Sequence, residues 1–164
     1  MTDKELCFLA EKTVTTLKNK NLTLSLAESC TGGMASSYIT SVSGVSEVYG
    51  LGVTSYSCEI KNKILSVPDS ILRQYGAVSE ETASIMAENI RILANSDIGA
   101  SITGVAGPMG SEGHPPGYVF IAVSGALGTK ANLLNIEFKS RDFVRGETVK
   151  ALFNLIINYT EEIK

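Results

Sequence analysis

The chain has 164 residues, 44% of them hydrophobic and 19% charged, with a net charge of −3. One domain of this size can bury a core of its own. The acidic balance supplies no basic footprint for nucleic acid, and no apolar run approaches the ~18 residues of a membrane span. The start, MTDKELCFLAEK, lacks the basic residues and long apolar stretch of a secretory leader, so the expected location is cytoplasmic. Cys7, Cys30 and Cys58 form no CxxC pair and His114 is the one histidine, so the thiols read as reduced and no zinc site is expected.

In chain order, DKELCFLAEKTVTTLKNK has Leu6, Leu9, Ala10, Val14 and Leu17 at helical spacing. Residues 22–27, LTLSLA, predict a buried strand. Thr31 or Ser29 then caps a helix through about Thr40, and SVSGVS is a loop. VYGLGVTSYS, residues 48–57, is a second strand, rich in β-branched and aromatic residues. EIKNKIL predicts a short helix, and PDSILRQY another with Pro68 in its first turn. VSEETASIMAENIRILANS predicts a longer helix with Ala83, Met86, Ile90 and Leu93 on its apolar face.

Residues 97–104, DIGASITG, predict a third strand, followed by the Gly- and Pro-dense loop VAGPMGSEGHPPG. YVFIAVSG (118–125) and ANLLNIEF (131–138) predict a hairpin joined by ALGTK. RDFVRGETVKALFNLIINYTEEI predicts a final helix with Phe143, Val149, Leu152, Phe153 and Ile156 facing the core. Helices alternating with strands, then a hairpin, predict one α/β domain over 1–164: a three-layer α/β/α sandwich around a mixed, mostly parallel sheet.

Ligands of open α/β sheets bind beyond the carboxyl ends of strands. Three segments qualify: ESCTGG, SYSCEIK and TGVAGPMG. In the first, Ser29, Cys30 and Thr31 stand between a strand and a helix. The amides of Thr31, Gly32 and Gly33 could receive a phosphate or an oxyanion; equally, the segment could be only a cap and a tight turn. In the second, Tyr56 and Lys61 are five positions apart. A serine nucleophile without a suitable histidine can use a lysine of depressed pKa, with a tyrosine relaying the proton or holding the amine, although most lysines are simply solvated. In the third, Thr103 ends a strand, and Gly104, Ala106 and Gly107 let backbone approach a ligand. Arg141 and Arg145 fall on one face at the start of the last helix. Cations there oppose the helix dipole, so either a substrate phosphate or a nearby carboxylate should favour them.

Taken together, AESCTGG, VTSYSCEIK, GAVSEE followed by MA, and SITGVAGP with a later PPGYV resemble the C-terminal domain of the competence/damage-inducible CinA family, in order from about residue 5 to 155. The resemblance implies a nicotinamide-nucleotide amidohydrolase that converts nicotinamide mononucleotide to nicotinate mononucleotide and ammonia. It implies Ser29 as nucleophile, activated by Tyr56 and Lys61, with no metal and no cofactor. The substrate phosphate would be held by the TGVAGP backbone or by Arg141 and Arg145. It also implies a homo-oligomer, while charge and hydropathy leave no nucleic-acid or membrane partner expected.

The chain departs from the family pattern at Cys58, where the family has asparagine, at His114, where a lysine is usual, and at Ser140 in place of glycine. These departures motivate a second reading, a non-catalytic nucleotide-binding or interaction module. A third, a hydrolase using Cys30, lacks a histidine placed to form a thiolate–imidazolium pair.

Overall fold

The computed structural model describes residues 3–164; Met1 and Thr2, which open the single expected domain, lie outside the described residues. The elements are α1 (Lys4–Lys20), β1 (Leu24–Glu28), α2 (Met34–Thr40), β2 (Tyr49–Thr54), α3 (Cys58–Leu65), α4 (Asp69–Tyr75), α5 (Glu80–Ala94), β3 (Ile98–Gly104), β4 (Tyr118–Gly125), β5 (Gly128–Asn135) and α6 (Arg141–Glu162). They form the expected three-layer α/β sandwich. The sheet order is β2-β1-β3-β4-β5. The first three strands run parallel, and β4 and β5 are antiparallel to their neighbours.

Side-chain alternation along the central strands explains the two layers. Ile98, Ala100 and Ile102 of β3, with Val119, Ile121 and Val123 of β4, pack into the cluster that holds Leu9 and Leu17 of α1 and Leu152 and Phe153 of α6. Phe120 and Ala122 turn the other way, toward Ala83 and Ala87 of α5. On that face β3 presents small residues because α5 lies close: a Cβ on Gly99 would stand 2.2 Å from the Ala87 carbonyl oxygen. Ser101 Oγ donates to the Ala83 carbonyl at 2.6 Å, which satisfies a hydroxyl with no access to water.

Several local expectations give way. Leu93 is 54% exposed rather than part of the α5 core face; the helix ends one residue later at Ala94, with Asn95 as its C-cap in the left-handed conformation. Pro68 is the N-cap of α4, not its first turn. The loop SVSGVS runs into a 3-10 turn at Val45–Glu47. The hairpin is tighter than ALGTK implies: β5 begins at Gly128, paired with Gly125, so Ala126 and Leu127 alone make the turn. Gly128 takes φ +83, which a side chain disfavours. Phe143 is half-buried under Lys139, whose ammonium lies 4.6 Å from the ring centroid, rather than within the core.

Candidate active site

Because β2, β1 and β3 are adjacent and parallel, their carboxyl ends reach one edge of the sheet, and the three candidate loops meet there. A cleft of about 310 Å³ opens between them. Ser29, Tyr56, Lys61, Thr103, Gly104, Ala106, Gly107 and Arg141 line it. Thr31, Gly32, Gly33 and Arg145 do not reach its wall.

Lys61 is drawn inward by α3, which Ser57 caps by accepting from Ile60 N at 3.2 Å. The apolar side of that helix buries Leu65, and Lys61, one turn earlier on the same stripe, is 1% exposed. Its Nζ lies 3.0 Å from Ser29 Oγ and donates to the carbonyls of Ser55 at 2.7 Å and, more weakly, Tyr56 at 3.5 Å. Burial lowers the Lys61 pKa, since the charged form loses hydration; Cys58, Cys30 and Glu112 act in the opposite sense. A neutral amine has two hydrogens and one lone pair. With the hydrogens on the two carbonyls, the lone pair points to the Ser29 hydroxyl.

Tyr56 stands elsewhere than a relay requires. Its side chain is 63% exposed at the mouth, and its hydroxyl accepts from Arg141 Nη2 at 3.1 Å. Lys61 touches Ser29 without it, and the Tyr56 group facing the amine is the backbone carbonyl.

The turn that carries Ser29 is built differently from either sequence expectation. Neither Ser29 nor Thr31 caps α2, whose N-cap is Gly33, at φ +92. The capping group is Glu28, the last residue of β1 and 1% exposed. Its Oε2 accepts from Thr31 Oγ1 at 2.7 Å and from Gly33 N and Ala35 N at 3.1 Å each. Its Oε1 accepts from Ser36 N at 2.9 Å and Ser36 Oγ at 2.7 Å. A carboxylate thus fills the positive end of the helix. Gly32 N donates to Ser29 O at 3.0 Å, so the amides of Gly32 and Gly33 are both engaged and unavailable to a ligand. Among the described residues, the amides of Cys30 and Thr31 meet no backbone or side-chain acceptor. Both follow Ser29 on the same turn; Cys30 lines the cleft, whereas Thr31 is buried away from its wall.

The two arginines serve different partners. Arg141 Nη1 donates to Gly107 O at 2.7 Å while Nη2 holds Tyr56, so the guanidinium spans two loops at the mouth. Arg145 Nη2 donates to Thr31 O at 2.8 Å and Nη1 pairs with Asp142 at 3.1 Å, which clamps the Ser29 turn from behind. Thr103 Oγ1 is likewise engaged, donating to Ala77 O at 2.6 Å.

Cys30 is 6% exposed, and burial pushes its thiol up to about 11, so it is protonated at neutral pH and poorly suited to attack. His114 stacks on Tyr118 with ring centroids 4.2 Å apart and lies outside the cleft wall.

Sequence reasoning missed Glu28, the Arg145 clamp and the free Cys30 amide; of the three amides it named, the Thr31 amide alone is unengaged. Only Glu28 left a signal: an apolar run that ends on an acid immediately before a helix.

The sequence matches the CinA C-terminal domain over residues 7–160. Similar proteins include a competence-damage inducible protein of Acetivibrio thermocellus, 40% identical over 163 residues, or 99% of this chain and 38% of that protein. Another, from Thermoanaerobacter pseudethanolicus, is 44% identical over 159 residues, or 95% of this chain and 38% of that protein. The chain therefore spans little more than a third of the length of these curated relatives. Among solved structures, the competence damage-inducible protein A from Klebsiella pneumoniae superposes with a TM-score of 0.93 at 27% identity, over 97% of this chain and 99% of that one. The competence/damage inducible protein CihA from Agrobacterium tumefaciens gives 0.92 at 29% identity, over 96% and 97%. No helix among the described residues is long and apolar enough to cross a membrane.

Proposed function

The chain belongs to the CinA C-terminal domain family, and from that premise we propose that it is a nicotinamide-nucleotide amidohydrolase, releasing ammonia from nicotinamide mononucleotide. The observation that supports this reading best is the buried Lys61 amine 3.0 Å from Ser29 Oγ, held by two carbonyls at the carboxyl edge of the sheet.

Ser29 Oγ attacks the carboxamide carbon while neutral Lys61 accepts its proton. The carbonyl electron pair moves onto oxygen, and the amide of Cys30, which lines the cleft beside Ser29, donates to it; one such donor contributes about 10²–10³ in rate. Collapse of the tetrahedral intermediate breaks the C–N bond, and the Lys61 ammonium returns the proton to the departing nitrogen as ammonia forms. Water, deprotonated by Lys61, then cleaves the acyl-serine to nicotinate mononucleotide. Arg141, the arginine that reaches the cleft wall, is the candidate for the substrate phosphate. Arg145 acts through Thr31, and Tyr56 forms an aromatic wall at the mouth.

The deciding experiment is an ammonia assay with nicotinamide mononucleotide on the wild-type chain, Ser29→Ala and Cys30→Ala. The expected result is release by the wild type, none above background from Ser29→Ala, and near-normal release from Cys30→Ala. Binding without release by the wild type would instead favour a non-catalytic nucleotide-binding module.

The depressed Lys61 pKa fixes the sign of the pH response. Below it the amine is an ammonium without a lone pair, so kcat/KM should fall about tenfold per pH unit on the acid side. The midpoint should lie below the ordinary lysine value of 10.5, because burial disfavours the charged form. A pH–rate profile with no limb in that region would remove Lys61 from the role of base.

A further inference from the structure

Glu112 is the one acidic side chain on the cleft wall among the described residues. It stands at the tip of the long β3–β4 loop, in a two-residue turn closed by Ser111 N donating to His114 O at 3.1 Å and His114 N donating to Ser111 O at 2.9 Å. Both central residues have positive φ, +52 at Glu112 and +80 at Gly113. That is the type I′ pattern, in which the first central position ordinarily carries asparagine, aspartate or glycine. A glutamate there is held against backbone preference, and further contacts steer it. Its Oε2 accepts from Val78 N at 3.0 Å, across the cleft floor. Gly76 leaves the room for this, since a Cβ there would lie 2.6 Å from Glu112 Oε2. One carboxylate oxygen is thus anchored, and the second, Oε1, has no donor among the described residues.

With Lys61 neutral in its reactive form, the formal charges on the cleft wall are Arg141 and Glu112. A cation and an anion in one cleft suit a ligand that carries both signs. An N1-ribosylated nicotinamide phosphate is such a ligand, with a cationic pyridinium ring and an anionic phosphate. Resting on the amidohydrolase reading above, we propose that Glu112 is the specificity-determining residue that selects a positively charged pyridinium ring over an uncharged ring of the same shape. Its free oxygen faces the ring, while Arg141 serves the phosphate at the opposite sign.

The test compares nicotinamide mononucleotide with its reduced 1,4-dihydro form, which keeps the ribose phosphate and carboxamide but loses the ring charge. Dissociation constants are measured by calorimetry on Ser29→Ala, which cannot turn over, and on Ser29→Ala/Glu112→Gln. The glutamine can still accept from Val78 N, so the turn is retained. Because Glu112 is exposed at the mouth, its attraction is partly screened; the expected loss is roughly tenfold for the oxidised nucleotide and under about twofold for the reduced one. Equal weakening of both ligands, or no weakening of either, overturns the assignment. Ammonia release by the otherwise wild-type Glu112→Gln chain is measured beside it: a fall in kcat/KM for the oxidised nucleotide with kcat held within about twofold agrees with a role in binding the ring. A wild-type chain that binds the oxidised nucleotide but releases no ammonia overturns the amidohydrolase reading and this inference with it, whereas release with an unchanged oxidised-to-reduced preference in Glu112→Gln overturns the inference alone.

Discussion

Lys61→Met is expected to lower kcat by roughly 10²–10⁴-fold, the range for losing a positioned general base, while leaving the fold at least as stable. Methionine matches the length of the lysine stem and suits the surroundings of a residue that is 1% exposed. The substitution removes an amine whose charged form burial disfavours. Between the depressed pKa and the ordinary one, the unfolded chain binds the Lys61 proton and the folded chain does not, so protonation favours unfolding as pH falls through that window. Methionine abolishes this linkage. The cost is the loss of the hydrogen bonds to the carbonyls of Ser55 and Tyr56, at 2.7 and 3.5 Å. Single-turnover ammonia release and thermal unfolding, run on the same preparation, separate the effects. Activity lost with Tm retained identifies a chemical role. If Lys61→Met keeps more than about a tenth of wild-type kcat, another group is the base.

Glu28→Gln is expected to show the opposite signature, with stability and activity falling together. The carboxylate accepts from Thr31 Oγ1, Gly33 N, Ala35 N, Ser36 N and Ser36 Oγ. An amide presents one acceptor oxygen and one donor nitrogen, so either orientation turns an N–H toward groups that themselves donate. Hydrogen bonds to a charged group contribute about 1.5–3 kcal/mol each, and an unpaired buried donor costs about 1–3. The net loss should be roughly 3 kcal/mol, a Tm decrease of about 6–12 °C for a domain of this size. The disturbance passes along the network, because Tyr49 Oη donates to Ser36 Oγ at 2.9 Å. Gly52 leaves space for that hydroxyl, which a Cβ would approach to 2.1 Å. Ser29 and the free amides of Cys30 and Thr31 ride on the same turn, so kcat should fall as well. A Tm within about 2 °C of wild type would show that water or rearrangement replaces the carboxylate.

The fold was legible because its signals are local and repetitive. Leu6, Leu9, Ala10, Val14 and Leu17 recur at helical spacing, and all five are buried in α1. Ala83, Met86 and Ile90 do the same in α5, and Ser79 caps that helix by accepting from Thr82 N at 3.2 Å. Leu93 continued the spacing but not the burial, since a helix that ends at Ala94 has little sheet left to cover. The hairpin partners were visible as two apolar runs, while their register depended on a turn of two residues that composition alone does not distinguish from five.

The sequence by itself determined the layers of the sandwich and the family, through blocks that run along nearly the whole chain. Only the tertiary structure decided what each polar side chain meets. Lys61 reaches Ser29 across 32 positions, and Arg145 reaches the Thr31 carbonyl across 114. Arg141 and Arg145, equivalent by spacing, go to different partners. Tyr56 turns outward to an arginine, while of the amides expected to receive a ligand Gly33 donates to Glu28 and Gly32 to the Ser29 carbonyl. The physical reason is range. Apolar periodicity is written into neighbouring residues and needs only burial to act, whereas hydrogen bonds and pKa shifts depend on a few ångströms between groups that are distant in the chain.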